Sequence, residues 1–301
     1  MKAAVVSDYG DADRLELKDV PDPRPGPGEV LVRVAAASVN PIDWKLRSGA
    51  MRAFWPLQFP AILGRDASGE VIGVGPGVEG FAPGNRVLGL VQHAYAERVV
   101  APAAVWAHVP AGLDLRDAAA LPLVALTGVQ LVEEAVKPAR GQTVLVTGAV
   151  GGVGRAAVYA ARLLGVRVLA GVRARQKGEA IVLGTSEVVA LDDQREVAGL
   201  PELDAIADTV GGETTAALLV KVKRGGVVGS VVGEPAGAKE RGLTVRAMLT
   251  HPDAKRLGEL AEAAVRGELR IPISKRFPLA QAREAHRLAE RGGVGKVLIV
   301  P

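Results

Sequence analysis

The stretch Val144-Leu145-Val146-Thr147-Gly148-Ala149-Val150-Gly151-Gly152-Val153-Gly154, continued by Arg155-Ala156-Ala157-Val158-Tyr159-Ala160-Ala161-Arg162-Leu163-Leu164-Gly165, decides how this chain is read. An apolar strand runs straight into a glycine-rich turn, and the turn opens a helix. Small residues at 148, 149, 151 and 154 keep the turn tight, let backbone amides approach a pyrophosphate and let helix and strand pack closely. The pyrophosphate then rests on the positive end of the helix. Any tight strand-to-helix turn favours glycine, so the heptapeptide alone is weak. Strand, turn and helix in register make it a dinucleotide signature.

The next strand, Val166 to Gly171, bears on which dinucleotide is bound. An NAD site places an acid about 20 residues past the glycines, whereas the adenosine 2′-phosphate of NADP calls for cations. No acid appears until Glu179; the strand instead enters Val172-Arg173-Ala174-Arg175-Gln176-Lys177. Arginine matches phosphate with a two-pronged fork and lysine acts as a point charge. The bland alternative is a solvated helix start, although cations oppose the dipole there.

Outward from the turn, apolar strands alternate with helical stretches. The strands are Glu187 to Leu191, Ala205 to Asp208 and Val227 to Val232, with helices through Ile181, from Thr214 and from Asp253 to Arg266. Such alternation indicates a parallel sheet covered on both faces, an α/β doubly wound domain. The first hundred or so residues read differently. Short strands (Glu29 to Val34, Gly69 to Val74, Asn85 to Leu90, Ala94 to Val100) are separated by Pro25-Gly26-Pro27-Gly28, Gly75-Pro76-Gly77 and Pro83-Gly84. Proline fixes φ and glycine supplies positive φ, so these are turns with a mechanism. This half is mostly β, and the tail from Leu269 is expected to fold back onto it.

Composition bounds the rest. A chain of 301 residues has room for two domains. The net charge of +4 is scattered and aromatics are only 3%, so no nucleic acid is expected as partner. Cysteine is absent, which excludes disulfides and thiolate zinc sites. The N-terminus lacks the apolar core of a secretory signal, and the longest apolar run, Ala118 to Val132, falls short of a membrane span. A cytoplasmic protein with no membrane partner is expected.

With these residues in hand, the chain resembles the zinc-independent branch of the medium-chain dehydrogenase/reductase superfamily, the quinone oxidoreductase (zeta-crystallin-like) family. The resemblance rests on Val39-Asn40-Pro41-Ile42-Asp43, Pro60-Ala61-Ile62-Leu63-Gly64-Arg65-Asp66-Ala67-Ser68-Gly69, Val74-Gly75-Pro76-Gly77-Val78, Tyr95-Ala96-Glu97, Ala119-Ala120-Leu121-Pro122 with Leu126-Thr127, the glycine turn, Asp208-Thr209-Val210-Gly211-Gly212, Phe277-Pro278-Leu279 and Gly295-Lys296-Val297. It implies a Rossmann NADP-binding domain (120–266) and a GroES-like, mostly β domain made from both chain ends (1–119 and 267–301). It also implies NADPH-dependent, metal-independent reduction of quinones or α,β-unsaturated carbonyls by hydride transfer. In the zinc-dependent branch the positions matching Asn40 to Asp43 and Gly64-Arg65-Asp66 hold zinc ligands, and this chain has none there. Its four histidines, His93, His108, His251 and His286, show no ligand spacing.

Position by position, the resemblance puts Asn40 on the nicotinamide ribose and Thr127 beside the nicotinamide. Gly148, Ala149, Val150, Gly151, Gly152 and Val153 hold the pyrophosphate, while Arg173, Arg175 and Lys177 meet the 2′-phosphate. Gly229, Val231 and Lys296 line the cofactor cleft. Asn40 could equally be a turn residue before Pro41, and Thr127 a hydroxyl bonding its own helix. Tyr95 is a candidate proton donor alongside Asn40 and Thr127 as catalytic residues; Asp43 and Lys45 are others, and water could serve instead. Trp44, Phe54, Trp55 and Phe59 cluster beside the Asn40 loop, either as core or as an aromatic wall for a flat apolar substrate. Three departures from the family pattern are a short crossover between Asp192 and Asp204, Ala190-Leu191, where a tyrosine is common, and Gln92-His93-Ala94, where glycines are. The family's homodimer, through a sheet edge such as Gly226 to Val232 or Leu243 to Met248, is a further expectation. A non-catalytic NADPH-binding role, crystallin-like or RNA-binding, is the competing class.

Overall fold

A computed structural model describes residues 1–293 and 295–301. In chain order the strands are β1 (Lys2–Val6), β2 (Leu15–Asp19), β3 (Glu29–Ser38), β4 (Ala61–Ile62), β5 (Asp66–Val74), β6 (Arg86–Leu90), β7 (Arg98–Pro102), β8 (Trp106–His108), β9 (Thr143–Thr147), β10 (Arg167–Val172), β11 (Glu187–Ala190), β12 (Leu203–Asp208), β13 (Val222–Ser230), β14 (Thr244–Ala247), β15 (Ile273–Pro278) and β16 (Lys296–Val300). They divide between two compact units, one of residues 1–123 with 252–301 and one of residues 124–251. The helix Ala254–Val265, which the sequence reading groups with the nucleotide-binding domain, belongs to the first unit. It packs there against β8, burying Leu257, Leu260 and Ala261.

The first unit is the mostly β, GroES-like one. A seven-stranded sheet runs β15-β16-β3-β5-β6-β8 with β7 also paired to β3, and a three-stranded sheet runs β2-β1-β4. The segment Ala94 to Val100, expected as one strand, is divided. Only Arg98–Pro102 forms a strand, while residues 94–97 stitch the two sheets. Ala4 donates to the Tyr95 carbonyl at 2.8 Å, Glu97 donates to Lys2 at 3.0 Å, and Val34 donates to Glu97 at 3.0 Å. His93, just before, sits at φ +62° with its Nδ1 2.8 Å from the Ile62 carbonyl, a left-handed position that explains why glycine is usual there. Inward-facing Val30, Val32 and Val34 alternate along β3 and meet Val71, Val87, Val99, Trp106, Phe277 and Ile299 in the core. Each such side chain contributes about 1.5–3 kcal/mol of burial.

The second unit is a parallel sheet in the order β11-β10-β9-β12-β13-β14. Every pair is parallel, and the order reverses between β9 and β12. This is the doubly wound arrangement, whose ligand crevice lies beyond the carboxyl ends of the strands at that reversal. Leu145, Leu169, Leu203, Ile206 and Val228, one or two from most strands, form its core with Leu218 and Leu219. The stretch Asp117–Val136 is helical over 20 residues, longer than the sequence reading allowed, and apolar enough by length and composition to cross a bilayer; 83% of its most apolar window is buried within the protein, as in a core helix.

Candidate functional site

The glycine turn joins the end of β9 to the helix Gly152–Leu163. Gly148 takes φ +62°, which a side chain would strain. A Cβ on Gly154 would lie 2.2 Å from the Gly148 carbonyl oxygen and 2.7 Å from the Ala149 Cα, so helix and turn touch through bare backbone. Within the turn, Ala149 donates to the Gly171 carbonyl at 3.1 Å and Gly151 to the Gly148 carbonyl at 2.9 Å. Gly151 is the N-cap, and no side chain caps the amides behind it. Uncapped amides on a helix start, beside a turn free of side-chain bulk, fit a pyrophosphate. Sequence reading missed Arg155 here. It is 7% exposed, donates through Nε to the Val150 carbonyl at 2.8 Å and pairs through Nη2 with Glu179 at 2.5 Å.

At the far end of β10, the three expected cations separate. Lys177 donates to both carboxylate oxygens of Glu196 at 2.7 and 2.8 Å, and Glu196 also accepts from the Ala190 amide at 2.8 Å. Arg173 and Arg175 are exposed, and neither side chain has an acceptor among the described residues. Of the nearby carboxylates, Glu179 pairs with Arg155 and Glu196 with Lys177, while the exposed Asp192 accepts from the Ala174 amide at 2.7 Å.

The strand ends at the sheet reversal are tied by Asp208, a fully buried carboxylate at the end of β12. Its Oδ1 accepts from Thr147 Oγ1 at 2.9 Å, Thr215 Oγ1 at 2.6 Å and the amides of Val210 and Gly211 at 3.1 and 3.0 Å; Oδ2 accepts from Ser230 Oγ at 3.1 Å. Gly229, expected to line the cofactor cleft, is explained by packing, because a Cβ there would meet Val136 at 2.7 Å and Leu131 at 3.2 Å. Val231 is half-buried and donates its amide to the Asp208 carbonyl at 3.2 Å. Thr127, 6% exposed, bonds to Thr250 through hydroxyls 2.5 Å apart.

The remaining predicted residues meet in a buried polar cluster of the first unit. The helix Pro41–Arg47 starts at Asn40 with Pro41 in its first turn, and Asp43 Oδ2 accepts from the Asn40 amide at 2.8 Å, a capping-box bond. Asn40 is 0% exposed; its amide group donates to Asp66 Oδ2 at 2.8 Å and to the Ser38 carbonyl at 3.3 Å. Its Oδ1 accepts from Lys296 Nζ at 2.7 Å. Lys296 spends its other protons on the Val39 carbonyl at 3.3 Å and Asp66 at 3.4 Å, and burial pushes its ammonium below the usual lysine range. Asp66 further accepts from Ser38 Oγ and, through Oδ1, from the Leu123 amide at 2.7 Å. Asn40 and Lys296, expected on the cofactor, have their polar atoms engaged with one another, Asp66 and the carbonyls of Ser38 and Val39 inside this unit.

Tyr95 also requires correction. It is 0% exposed, its hydroxyl donates to Asp43 at 2.8 Å, and burial followed by the Asp43 charge raises it well above the usual phenol value. In this arrangement the phenol proton is committed to Asp43. Asp43 is itself pushed up to about 6 by burial, against the pull of the Tyr95 bond. Lys45 is exposed. Behind Tyr95, His286 packs its ring edge-on at 5.5 Å and its Nδ1 accepts from Arg47 at 2.9 Å. Burial, then the Arg47 charge, lowers His286 to about 3. The aromatic segment is not core throughout, with Phe54 76%, Trp55 41% and Phe59 36% exposed.

Among the described residues no three His, Cys, Asp or Glu side chains converge to hold a metal ion. Asp66, in the block where the zinc-dependent branch has ligands, holds the Lys296 ammonium, so the residues present do not fit a zinc ion.

Residues 26–111 match the alcohol dehydrogenase GroES-like domain, and residues 183–299 match the zinc-binding dehydrogenase family. A quinone oxidoreductase of Pseudomonas aeruginosa is 32% identical over 323 residues, covering 97% of each chain. A 2-haloacrylate reductase of a Burkholderia species is 30% identical over 328 residues, 99% of this chain and 98% of the relative. The solved quinone oxidoreductase of Coxiella burnetii superposes with a TM-score of 0.90 at 30% identity, covering 100% of this chain and 99% of its own. A mycobacterial protein solved in complex with NADPH gives 0.85 at 30% identity, and a structure described as an NAD-dependent alcohol dehydrogenase gives 0.88 at 31%, each with 100% of both chains covered. Fold, turn and full-length likeness agree: this chain is an oxidoreductase of the medium-chain dehydrogenase/reductase superfamily and belongs to its quinone oxidoreductase family.

Proposed function

We propose that this protein is an NADPH-dependent reductase of quinones or α,β-unsaturated carbonyls that works without a metal ion. The observation carrying the cofactor choice is the pair Arg173 and Arg175, exposed and without a side-chain acceptor among the described residues, while Glu179 pairs with Arg155 and Glu196 with Lys177. Two guanidinium groups without a side-chain partner beside the adenosine end attract a 2′-phosphate. The relatives split between the two cofactors, so the chain's own residues must decide. When bound, the nicotinamide supplies a hydride. The residues from Gly148 to Val153 hold the pyrophosphate, and Thr127 flanks the ring.

On the substrate side, Phe54, Trp55 and Phe59 offer exposed aromatic faces suited to a flat apolar acceptor. The relatives' named substrates, quinones and a haloacrylate, share a carbon made electron-poor by a conjugated oxygen. Tyr95 and Asp43 are buried against one another, which leaves water or the exposed Lys45 to supply the proton that completes the reduction.

The test is oxidation of NADPH followed by absorbance against a benzoquinone, a naphthoquinone and several enones, with NADH as control and a chelator present throughout. Turnover with NADPH unaffected by chelator is expected. Stoichiometric NADPH binding with no turnover on any acceptor would replace the reductase by a binding protein, and absence of binding would overturn the cofactor reading altogether.

A further inference from the structure

Glu179 is the first carboxylate after the glycine turn, and it lies two residues beyond Lys177 in the segment that carries the free arginines. Left alone, its charge would offset Arg173 and Arg175 and repel a phosphate. It is not left alone. Arg155, on the helix that starts at the pyrophosphate turn, is 7% exposed and reaches across 24 residues of sequence to pair with it at 2.5 Å. The same guanidinium donates Nε to the Val150 carbonyl at 2.8 Å, so one side chain links the turn to the phosphate-selecting segment. That second bond fixes the direction of Arg155. With its Nε committed to the turn, the outer nitrogens have a defined reach, and Glu179 is what they meet.

We propose that Arg155 is a positioning residue for cofactor choice, pairing with Glu179 so that this carboxylate does not offset the arginine pair that faces the 2′-phosphate. The inference rests on the NADPH reading above and adds a determinant that does not touch the cofactor's 2′-phosphate itself. Removing Arg155 frees a carboxylate beside the site and loosens the turn. The first effect acts on NADPH alone, the second on both cofactors, so the ratio of the two dissociation constants isolates the first.

The experiment measures NADPH and NADH binding to the cofactor-free protein by nicotinamide fluorescence, in wild type, Arg155→Met, Glu179→Gln and the double variant. In Arg155→Met the preference for NADPH over NADH is expected to fall about fivefold, the upper range for one charge interaction near the surface. The double variant is expected to regain the wild-type ratio, since the freed acid is gone. Glu179→Gln alone should leave the ratio unchanged, because Arg155 already neutralises that carboxylate; this arm stands even if Arg155→Met does not fold. An unchanged ratio in Arg155→Met, a failure of Glu179→Gln to restore it, or a fivefold gain in Glu179→Gln alone would each overturn the proposal. Wild type binding NADH as well as NADPH would instead overturn the NADPH reading on which it stands.

Discussion

Replacing Gly154 by alanine tests the turn most directly. The added Cβ would sit 2.2 Å from the Gly148 carbonyl oxygen, 2.7 Å from the Ala149 Cα and 2.8 Å from the Gly148 carbonyl carbon, all backbone atoms that cannot swing aside. Ordinary contact begins near 3.4 Å, so turn and helix must separate by about 1 Å. Overpacking of this kind costs about 1–3 kcal/mol. At roughly 2–4 °C per kcal/mol, thermal unfolding should fall by about 2–12 °C. The same shift carries the amides at the helix start away from the pyrophosphate, and losing a charged hydrogen bond of about 1.5–3 kcal/mol weakens cofactor binding about 10- to 100-fold. Gly178→Ala is the control. Nothing lies within 4 Å of its Cβ, and alanine in the short helix Lys177–Ala180 should stabilise by about 0.5 kcal/mol. Calorimetry with NADPH titration reads both quantities. If Gly154→Ala melts and binds like wild type, the close backbone approach is not what holds the site.

Arg173→Ala should weaken NADPH about tenfold while leaving NADH within twofold, by binding titration; equal losses would remove the arginine from phosphate recognition. Lys296→Met strands the fully buried Asp66 without its cation and should destabilise by about 3 kcal/mol in denaturant unfolding, with Asp66→Asn in the same chain recovering most of it. His286, lowered to about 3 from an ordinary 6.5, stays neutral in the fold while the unfolded chain takes up a proton, so its contribution is lost as pH falls from 6.5 toward 3. His286→Phe should therefore show a flatter decline in stability over that window, and an unchanged slope would place the acid sensitivity elsewhere. Lys137 holds a left-handed φ of +51° at a helix end, and Lys137→Gly should raise stability by about 0.5 kcal/mol in the same measurement.

What could be read from the chain alone was whatever is local. The strand, turn and helix around Gly148 are contiguous, and their small residues and apolar run announce the geometry without help from elsewhere. The arginines after β10 follow for the same reason. The ties that organise the sites are long-range and left no such trace. Lys296 meets Asp66 across 230 residues and Asn40 across 256, so nothing in the neighbourhood of either foretold that they would satisfy one another rather than a ligand. Tyr95 looked like a free phenol because its burial depends on Asp43 and His286, each from another element. Asp208 offered a faint signal, a carboxylate closing the apolar run Leu203–Asp208, where a charge must find donors. Arg155 offered another, a cation on the first turn of a helix where the dipole disfavours it, which calls for a local anion or carbonyl.

The first unit is written in two instalments, 1–123 and 252–301, with the second unit inserted whole between them. On the ribosome the nucleotide-binding insert can therefore finish while its host is still incomplete, for β3 must wait until β16 is made to gain the pairs Ser38 with Leu298 and Ala37 with Ile299. Until then Asp66 and Asn40 have no Lys296. The loop that carries Asn40 thus acquires its final shape only after β16 has been made, when the whole of the second unit has already been synthesised.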